Sequence, residues 1–276
     1  MSIRIVADSS ADMLKLEKVD FAVVPLKIVV GEQVFQDDAN INMQALSDAV
    51  QASAVRPTTA CPGAGEWLDA FGEAETVFCV TLTSALSGSC SACRVAKQEY
   101  EAMYPERKVY LIDSLSAGPE IALIIERLQE LILQEMPADY IYRSIQRYRK
   151  RTHLLFSLDK MQRCAENGRA EQTKSMGVGV MGVRAIGKAS ARGDLEVLEK
   201  CRGRKQSLLS IVEHMKQLGY AGGRILIAHN QNEAEALALV ERIRQAFGKV
   251  DVRVQKTGAL CSFYAERGAL LVGVEC

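Results

Sequence analysis

The sequence predicts an α/β protein of two domains. In the first half, short apolar runs alternate with segments of helical periodicity, a pattern typical of βα units and a parallel sheet. After a basic run at residues 147–151, the pattern changes to a less regular mixture of strands and helices. The length of 276 residues suits two compact units of roughly 100 to 200 residues each. We therefore predict an N-terminal domain over residues 1–151 and a C-terminal domain over residues 152–276.

The first half repeats the order strand, polar loop, helix. Short apolar runs predict the strands, and apolar residues three or four positions apart predict the helices. Pro25 indicates a bend or an edge position in the extended stretch 21–30, because proline cannot donate a hydrogen bond within a sheet. The predicted strands are residues 3–7, 76–82 and 109–112, and the predicted helices begin after Asn42, near Trp67, at Ser87, at Pro119 and at Tyr140.

The second half combines strands and helices without that regular repeat. A short strand is predicted at residues 154–156, and a Gly-rich segment follows at residues 177–187. Apolar periodicity then predicts further helices and strands. These are helices over residues 208–218 and 236–247, with strands at residues 224–228, 250–254 and 269–274.

The composition indicates a globular protein and excludes several classes. Hydrophobic residues make up 48% of the chain and charged residues 25%, which excludes disordered, collagen-like and coiled-coil proteins. The 34 basic and 34 acidic residues balance, so net charge does not predict a nucleic-acid partner. Charges interrupt the apolar stretch 121–133, and the N-terminus lacks a signal-peptide pattern. We expect a cytoplasmic protein without stable membrane insertion.

Neither the cysteines nor the histidines predict a catalytic or metal site. The eight cysteines are expected to be reduced thiols, because a chain of this length needs no disulfide framework. Cys90 and Cys93 have redox or metal spacing, but no second cysteine pair accompanies them, so core packing is the better interpretation. His153, His214 and His229 lie far apart in the sequence, and no Ser-His-Asp arrangement is evident.

Three polar loops each follow a predicted strand, at residues 8–10, 83–89 and 113–118. Loops at the carboxyl ends of parallel strands gather at one edge of the sheet, where ligands bind. Ser87 and Gly88 combine a hydroxyl with free amides at a helix N-terminus, which suits a carboxylate or a phosphate. The alternative is that Ser87 only caps the helix.

Two further segments carry polar groups that suit an anion. Thr59 lies in the proline-flanked loop 57–63 and offers a hydroxyl to an anion. The alternative is that this loop is an ordinary turn and cap before a helix, without a role in binding. Arg169 follows Gly168 and provides a permanent cation that suits an anion or an acidic partner. The alternative is that Arg169 is a solvated surface residue without a role in binding.

In order and spacing, these segments resemble the DegV family of fatty-acid-binding proteins over nearly the whole chain. The resemblance implies an N-terminal domain with a three-layer arrangement around a parallel sheet and a C-terminal α/β domain with a mixed sheet. It also implies a long-chain fatty acid in a buried pocket and a separate kinase that phosphorylates its carboxylate. The resemblance rests on residues 7–12, 25–26, 37–38, Thr59, 86–89, 113–114, 168–169 and 200–205.

The resemblance also implies roles for individual residues. Thr59 and Ser87 would hydrogen-bond the lipid carboxylate, and the Gly88 amide would assist. Arg169 would lie near the exit for the head group, where the kinase partner would dock.

Two positions depart from the family pattern, and at the first of them Ala60 replaces a customary serine. Family members commonly have a histidine, one further residue and then Gly-Pro-Gly near the C-terminus, whereas this chain has Tyr264 followed by Ala-Glu-Arg-Gly. A tyrosine hydroxyl can still donate to a carboxylate, so the difference affects kinase coupling more than lipid binding. Tyr264 therefore joins the expected ligand-binding residues.

The sequence favours a binding protein over an enzyme, since no base is evident beside a nucleophile. Burial of about fifteen methylenes at roughly 0.8 kcal/mol each is ample for tight binding after association costs. No cofactor is expected, and the only small molecule implied is the bound long-chain fatty acid. An enzyme that acts on a small phosphorylated or carboxylated metabolite at the same helix N-terminus remains the alternative.

Overall fold

The structure, a computed structural model, describes residues 2–169 and 182–276. Of the Gly-rich segment predicted at residues 177–187, residues 177–181 lie outside the described residues. The strands are β1 (Ile3–Asp8), β2 (Asp20–Val24), β3 (Lys27–Val30), β4 (Gln33–Gln36), β5 (Thr58–Ala60), β6 (Thr76–Thr81), β7 (Lys108–Asp113), β8 (Thr152–Leu158), β9 (Val183–Ala189), β10 (Leu195–Arg202), β11 (Ile225–His229), β12 (Val252–Lys256) and β13 (Leu270–Glu275). The helices are α1 (Met43–Ala52), α2 (Ala64–Phe71), α3 (Ser89–Met103), α4 (Pro119–Leu133), α5 (Ala138–Tyr148), α6 (Gln162–Glu166), α7 (Arg204–Gln217), α8 (Glu233–Phe247) and α9 (Ala259–Ala265).

The first half forms a parallel sheet with the strand order β2-β1-β6-β7. Its strands read as nearly continuous apolar runs because helices cover both faces. Helices α2 and α3 pack on one face, and α4 and α5 pack on the other. The predicted three-layer arrangement is therefore confirmed, and Pro25 lies between β2 and β3, where a bend was predicted.

The second half forms a mixed sheet with the strand order β10-β9-β8-β13-β11-β12. Strands β11 and β12 are parallel, and the other neighbouring strands are antiparallel. Helices α7 and α8 bury their apolar residues against one face of this sheet. The predicted fold class is confirmed, while the division into domains at residues 151 and 152 stays a prediction.

Helix α4 lies between the two sheets. One side packs against β1, β6 and α5, and the opposite side contacts β11 and β13. Residues 121–125 of α4 are all fully buried, whereas the sequence pattern had predicted burial of one face only. Gly273 of β13 permits this close packing, because a Cβ there would lie 2.7 Å from the Pro119 carbonyl carbon. The two halves therefore share a tightly packed boundary.

A small antiparallel sheet with the order β4-β3-β5 was not predicted from the sequence. It packs with α1 and α9 around Ile28, Leu46 and Phe263. Short strands of this kind leave little periodicity to detect, and the same holds for the short helices α6 and α9. These three unpredicted elements nevertheless carry much of the site described below.

The predicted start of α3 at Ser87 is wrong by two residues, because the helix begins at Ser89. The Ser89 hydroxyl donates to Asp8 at 2.6 Å, so the first helical residue is fixed at the end of β1. Apolar spacing in the sequence also predicts that Met103 lies on the buried face of this helix, which is wrong, because Met103 is 56% exposed and Cys93 is buried instead. Cys90 is buried too, so the interpretation of both cysteines as core residues is confirmed.

Among the described residues, the helices do not include one that is long and apolar enough to cross a bilayer.

Candidate functional site

The three polar loops meet at the carboxyl ends of β1, β6 and β7, as predicted. The Thr83 amide donates to the Ser116 carbonyl at 3.0 Å, and the Gly118 amide donates to the Ser10 carbonyl at 2.7 Å. These backbone hydrogen bonds join the second loop to the third and the third to the first. The edge of the sheet is thereby fixed as one connected structure.

Asp8 and Ser9, at the end of β1, form hydrogen bonds with residues in and beside the site. Asp8 accepts hydrogen bonds from the Leu82 amide at 2.8 Å and from Ser89, and the Ser9 hydroxyl accepts one from the Leu26 amide at 3.0 Å. Burial raises the pKa of Asp8, and these donors oppose that shift. Asp8 and Ser9 therefore position residues that line the site.

The structure brings all five predicted ligand-binding residues to one cavity of about 270 Å³, which we call the polar mouth. They come from four separate segments, namely β5, the loop before α3, the segment after α6, and α9. Among the described residues that line it, none is a carboxylate or a histidine. The lining residues are Leu26, Thr59, Ala60, Cys61, Leu82, Ser87, Gly88, Arg169, Leu260 and Tyr264.

Ser87 and Gly88 form the turn that leads into α3. The Ser87 hydroxyl accepts a hydrogen bond from the Ser89 amide at 3.2 Å, so it caps the helix start and remains able to donate its own proton. Gly88 lies close to Cys61, since a Cβ at residue 88 would be 3.0 Å from its sulfur. The positive end of α3 and the Ser87 hydroxyl together favour an anion in the mouth.

Thr59 and Tyr264 form a hydroxyl pair across the mouth. Their oxygen atoms are 2.6 Å apart, although the residues are 205 positions apart in the sequence. Burial raises the pKa of Tyr264, so its hydroxyl keeps its proton at neutral pH. In the pair one hydroxyl donates to the other, which leaves one proton for a ligand.

Arg169 is held in place by the end of α6. Gly168 has a φ of +70°, and the Arg169 amide donates to the Cys164 carbonyl at 2.8 Å, which is the Schellman arrangement at a helix end. The guanidinium donates to the Leu86 carbonyl at 2.9 Å, and its central carbon lies 4.8 Å from the centre of the Tyr264 ring. Arg169 is thus a partly buried cation, and the alternative of a freely solvated side chain is wrong.

A second cavity, which we call the apolar chamber, adjoins the mouth between β8, β13 and α9. Leu82, Arg169, Leu260 and Tyr264 line both cavities, so these four residues form the boundary between them. Apart from Arg169 and Tyr264, the chamber is lined by aliphatic, phenyl and thiol groups. The remaining lining residues are Leu86, Ala117, Leu154, Phe156, Leu158, Cys164, Leu195, Cys261, Ala265 and Leu271.

Sequence reasoning did not identify the residues of the chamber. Leu154, Phe156 and Leu271 belong to strands whose apolar side chains look the same whether they fill a core or line a cavity. Leu260 lies on the unpredicted helix α9. No local signal in the sequence distinguishes these positions from ordinary core residues.

The arrangement is suited to binding an anion. Among the described residues, the mouth offers hydroxyl donors, the helix N-terminus and one guanidinium, and neither cavity lining includes a histidine, a lysine or a carboxylate. Within residues 2–169 and 182–276, no cluster of histidine, cysteine, aspartate and glutamate is suited to a metal ion.

Comparisons with known proteins agree over the whole length of the chain. Residues 2–275 match the family described as "Uncharacterised protein, DegV family". A DegV domain-containing protein of Streptococcus pneumoniae is 40% identical over 279 residues, which span 100% of this chain and 99% of the relative. A corresponding protein of Streptococcus gordonii is 37% identical over 279 residues, with the same coverage of both chains.

Two solved structures are also closely similar. The Fatty Acid Kinase (Fak) B3 protein of Streptococcus pneumoniae, loaded with linoleic acid, superimposes with a TM-score of 0.97 at 40% identity, covering 100% of this chain and 99% of that one. A DegV family protein of Eubacterium eligens, loaded with heptadecanoic acid, gives a TM-score of 0.96 at 38% identity, covering 99% of each chain.

Proposed function

This chain belongs to the DegV family, as its motifs predicted, and we propose that it binds one long-chain fatty acid. The carboxylate lies in the polar mouth, and the acyl chain extends into the apolar chamber. The observation that carries the proposal is that the two cavities adjoin, with Leu82, Arg169, Leu260 and Tyr264 lining both. Together the polar mouth and the apolar chamber match a molecule with one charged end and a long apolar tail.

The mouth provides several donors to the carboxylate in this proposal. Ser87 and one hydroxyl of the Thr59–Tyr264 pair donate to its oxygens, and the Gly88 amide adds the positive end of α3. Arg169 compensates the negative charge from the boundary of the two cavities. Neutral hydroxyls and one fixed cation bind the head group without reacting with it.

The apolar tail requires the chamber to widen. Its volume is about 80 Å³, whereas sites for small molecules commonly measure roughly 300–1,000 Å³. Side chains that line the chamber therefore move apart as the chain enters. Burial of about fifteen methylenes gives roughly 12 kcal/mol, enough to offset this rearrangement together with the loss of ligand freedom.

We further propose that a partner kinase acts on the bound carboxylate. The related Fak B3 protein carries the name of a fatty acid kinase. In the part of the chain that the structure describes, no histidine, lysine or carboxylate lines either cavity, so we expect the partner to provide the phosphoryl-transfer groups. Arg169 at the mouth is the residue that we expect to lie nearest to that partner.

The test has two parts, identification of the natural ligand and titration. Native mass spectrometry of protein purified from cells should reveal a stoichiometric long-chain acid. After lipid removal, calorimetric titration with linoleic acid should show one site per chain. Ser91→Ala serves as the matched control, because Ser91 lies on the exposed side of α3. A small polar ligand in the purified protein, with no binding of linoleic acid, would disprove the proposal and favour an enzyme acting on a small metabolite.

A further inference from the structure

Asp37 makes a contact that lipid binding does not by itself explain. It follows β4 and is only 3% exposed. Its carboxylate accepts hydrogen bonds from the Ala259 amide at 2.8 Å and from the Leu260 amide at 3.2 Å. These are the first two residues of α9, so one side chain from the N-terminal half holds the start of a helix more than 220 residues later.

The contact closes a ring around the polar mouth. Strand β3 pairs with β4 on one side and with β5 on the other, where Ile28 is opposite Thr59. The small sheet therefore carries Thr59 directly and holds α9 through Asp37. Since α9 carries Tyr264, the ring closes at the 2.6 Å hydrogen bond between Tyr264 and Thr59.

Asp12 provides a second carboxylate at the same helix start. It accepts a hydrogen bond from the Gly258 amide at 2.8 Å, and a Cβ at residue 258 would lie 2.8 Å from Asp12 Oδ1 and 3.5 Å from Asp37 Oδ1. Burial, together with repulsion by Asp37, raises the pKa of Asp12 to about 8. Two buried carboxyl groups that repel each other when both are charged therefore lie at the start of a seven-residue helix.

We propose that Asp37, assisted by Asp12, is a positioning residue of the fatty-acid site. It fixes the first turn of α9, and through α9 it sets the place of Leu260 at the chamber boundary and of the Tyr264 hydroxyl opposite Thr59. Asp37 itself does not line either cavity. The inference rests on the proposed function, since it assigns Tyr264 to the lipid site.

The first measurement compares three variants by titration with linoleic acid. Asp37→Asn removes the charge and one acceptor oxygen and should weaken affinity about tenfold. Gly258→Ala places a methyl group against both carboxyl groups and should act in the same direction while both carboxyl groups remain in place. Asp38→Asn is the matched control. Asp38 accepts a hydrogen bond from the Asn40 amide at 2.8 Å and has no described hydrogen bond to α9. The affinity of Asp38→Asn for linoleic acid should therefore differ from that of wild type by less than about twofold.

A double-mutant cycle separates positioning from a general loss of structure. If Asp37 acts through Tyr264, Asp37→Asn should cost about tenfold in wild type and clearly less in the Tyr264→Phe background. Thermal unfolding confirms that each variant is folded at the assay temperature. An equal loss of affinity in both backgrounds would assign Asp37 a structural role only and overturn the proposal.

A ligand-free measurement keeps this test independent of lipid binding. Hydrogen exchange of lipid-free protein should show the amides of residues 259–265 exchanging about tenfold faster in Asp37→Asn than in Asp38→Asn. Unchanged exchange would overturn the positioning role even if wild type binds linoleic acid. Faster exchange in Asp37→Asn with no binding by wild type would instead disprove the proposed function and leave Asp37 as the anchor of α9.

Discussion

At the scale of single residues, hydroxyl groups determine the chemistry of the polar mouth. Ser87, Thr59 and Tyr264 are neutral donors at physiological pH, and Arg169 is the one cation among the described residues that line the mouth. A neutral donor gains a charge-assisted hydrogen bond when a carboxylate arrives and needs no counter-ion when the site is empty. Such a mouth favours reversible binding of a carboxylate.

Ser87→Ala should weaken fatty-acid affinity by about 1 to 3 kcal/mol, because a charge-assisted hydrogen bond is lost while the acyl contacts remain. Calorimetric titration of delipidated protein with one fatty acid measures the change, and Ser91→Ala should leave it unaltered. Thr59→Val should act similarly, and the two losses should not add if both residues hold one carboxylate. An unchanged affinity of Ser87→Ala would show that Ser87 only caps α3.

Tyr264→Phe should weaken fatty-acid binding by about 1 kcal/mol and leave the thermal stability of lipid-free protein nearly unchanged. Only the hydroxyl that contacts Thr59 is removed, and the ring still packs beside Phe263 and Arg169. Calorimetric titration of wild type and Tyr264→Phe with the same fatty acid measures the change. Equal affinities would show that the Tyr264 hydroxyl does not contact the bound carboxylate. Tyr264→His restores the common family residue, and faster phosphorylation of its bound acid by a fatty acid kinase would be the expected gain.

At the level of helices and strands, the helix ends show how residues that are neighbours in the chain position parts of the site. Asn42 caps α1 by accepting hydrogen bonds from the Gln44 amide at 3.1 Å and the Ala45 amide at 3.0 Å, as the sequence predicted. The end of α6 likewise depends on Gly168, whose positive φ directs Arg169 toward the mouth. Caps of this kind are readable because they depend on residues that are neighbours in the chain.

Asn42→Ala should lower the free energy of unfolding by about 1 kcal/mol, because two amides of the first turn of α1 lose their acceptor. Urea unfolding followed by circular dichroism measures the difference. Asn40, an exposed residue two positions earlier, provides the control, and Asn40→Ala should be nearly neutral. Equal losses in the two variants would contradict a specific capping role for Asn42.

At the scale of the whole molecule, α4 joins the two sheets, and Glu120 lies at that boundary. The Glu120 carboxyl accepts hydrogen bonds from Ser116 at 2.5 Å and from Thr152 of β8 at 2.8 Å. Burial raises the pKa of Glu120 to about 7, although both donors favour the charged form. The boundary therefore contains a carboxyl group that resists ionisation.

The stability of the protein should depend on pH through Glu120 in a direction opposite to that of a salt-bridged carboxylate. The pKa of Glu120 is higher in the folded state than in the unfolded state. Its contribution to the free energy of unfolding is therefore complete below about pH 4.5 and is lost as the pH rises through about 7. Relative to wild type, Glu120→Gln should therefore gain about 2 to 3 kcal/mol between pH 4.5 and pH 8.

Urea unfolding at several pH values measures this difference. Glu99→Gln is a suitable control, because it makes the same substitution on the exposed side of α3, away from the boundary. A constant difference between Glu120→Gln and wild type across this range would show that Glu120 ionises equally in both states.

Sequence patterns alone predict the α/β class, most of the longer strands and helices, and the meeting of three polar loops at one sheet edge. These features depend on periodicity and on chain neighbours, as with the runs at residues 3–7 and 76–82 and the cap at Asn42. The family motifs also placed all five expected ligand-binding residues, which the structure brings to one cavity. Their roles at a lipid carboxylate stay predictions.

The identity of the apolar residues that line the chamber, and of the contacts that hold the mouth together, follows from the folded structure and not from sequence patterns. Leu154 and Leu271 cannot be distinguished from core residues by pattern, because the same side chain either fills a core or faces a cavity. The Thr59–Tyr264 and Asp37–Leu260 contacts join residues more than 200 positions apart. Such contacts arise when the sheets pack on both sides of α4, and that packing depends on the whole chain, which no local pattern encodes.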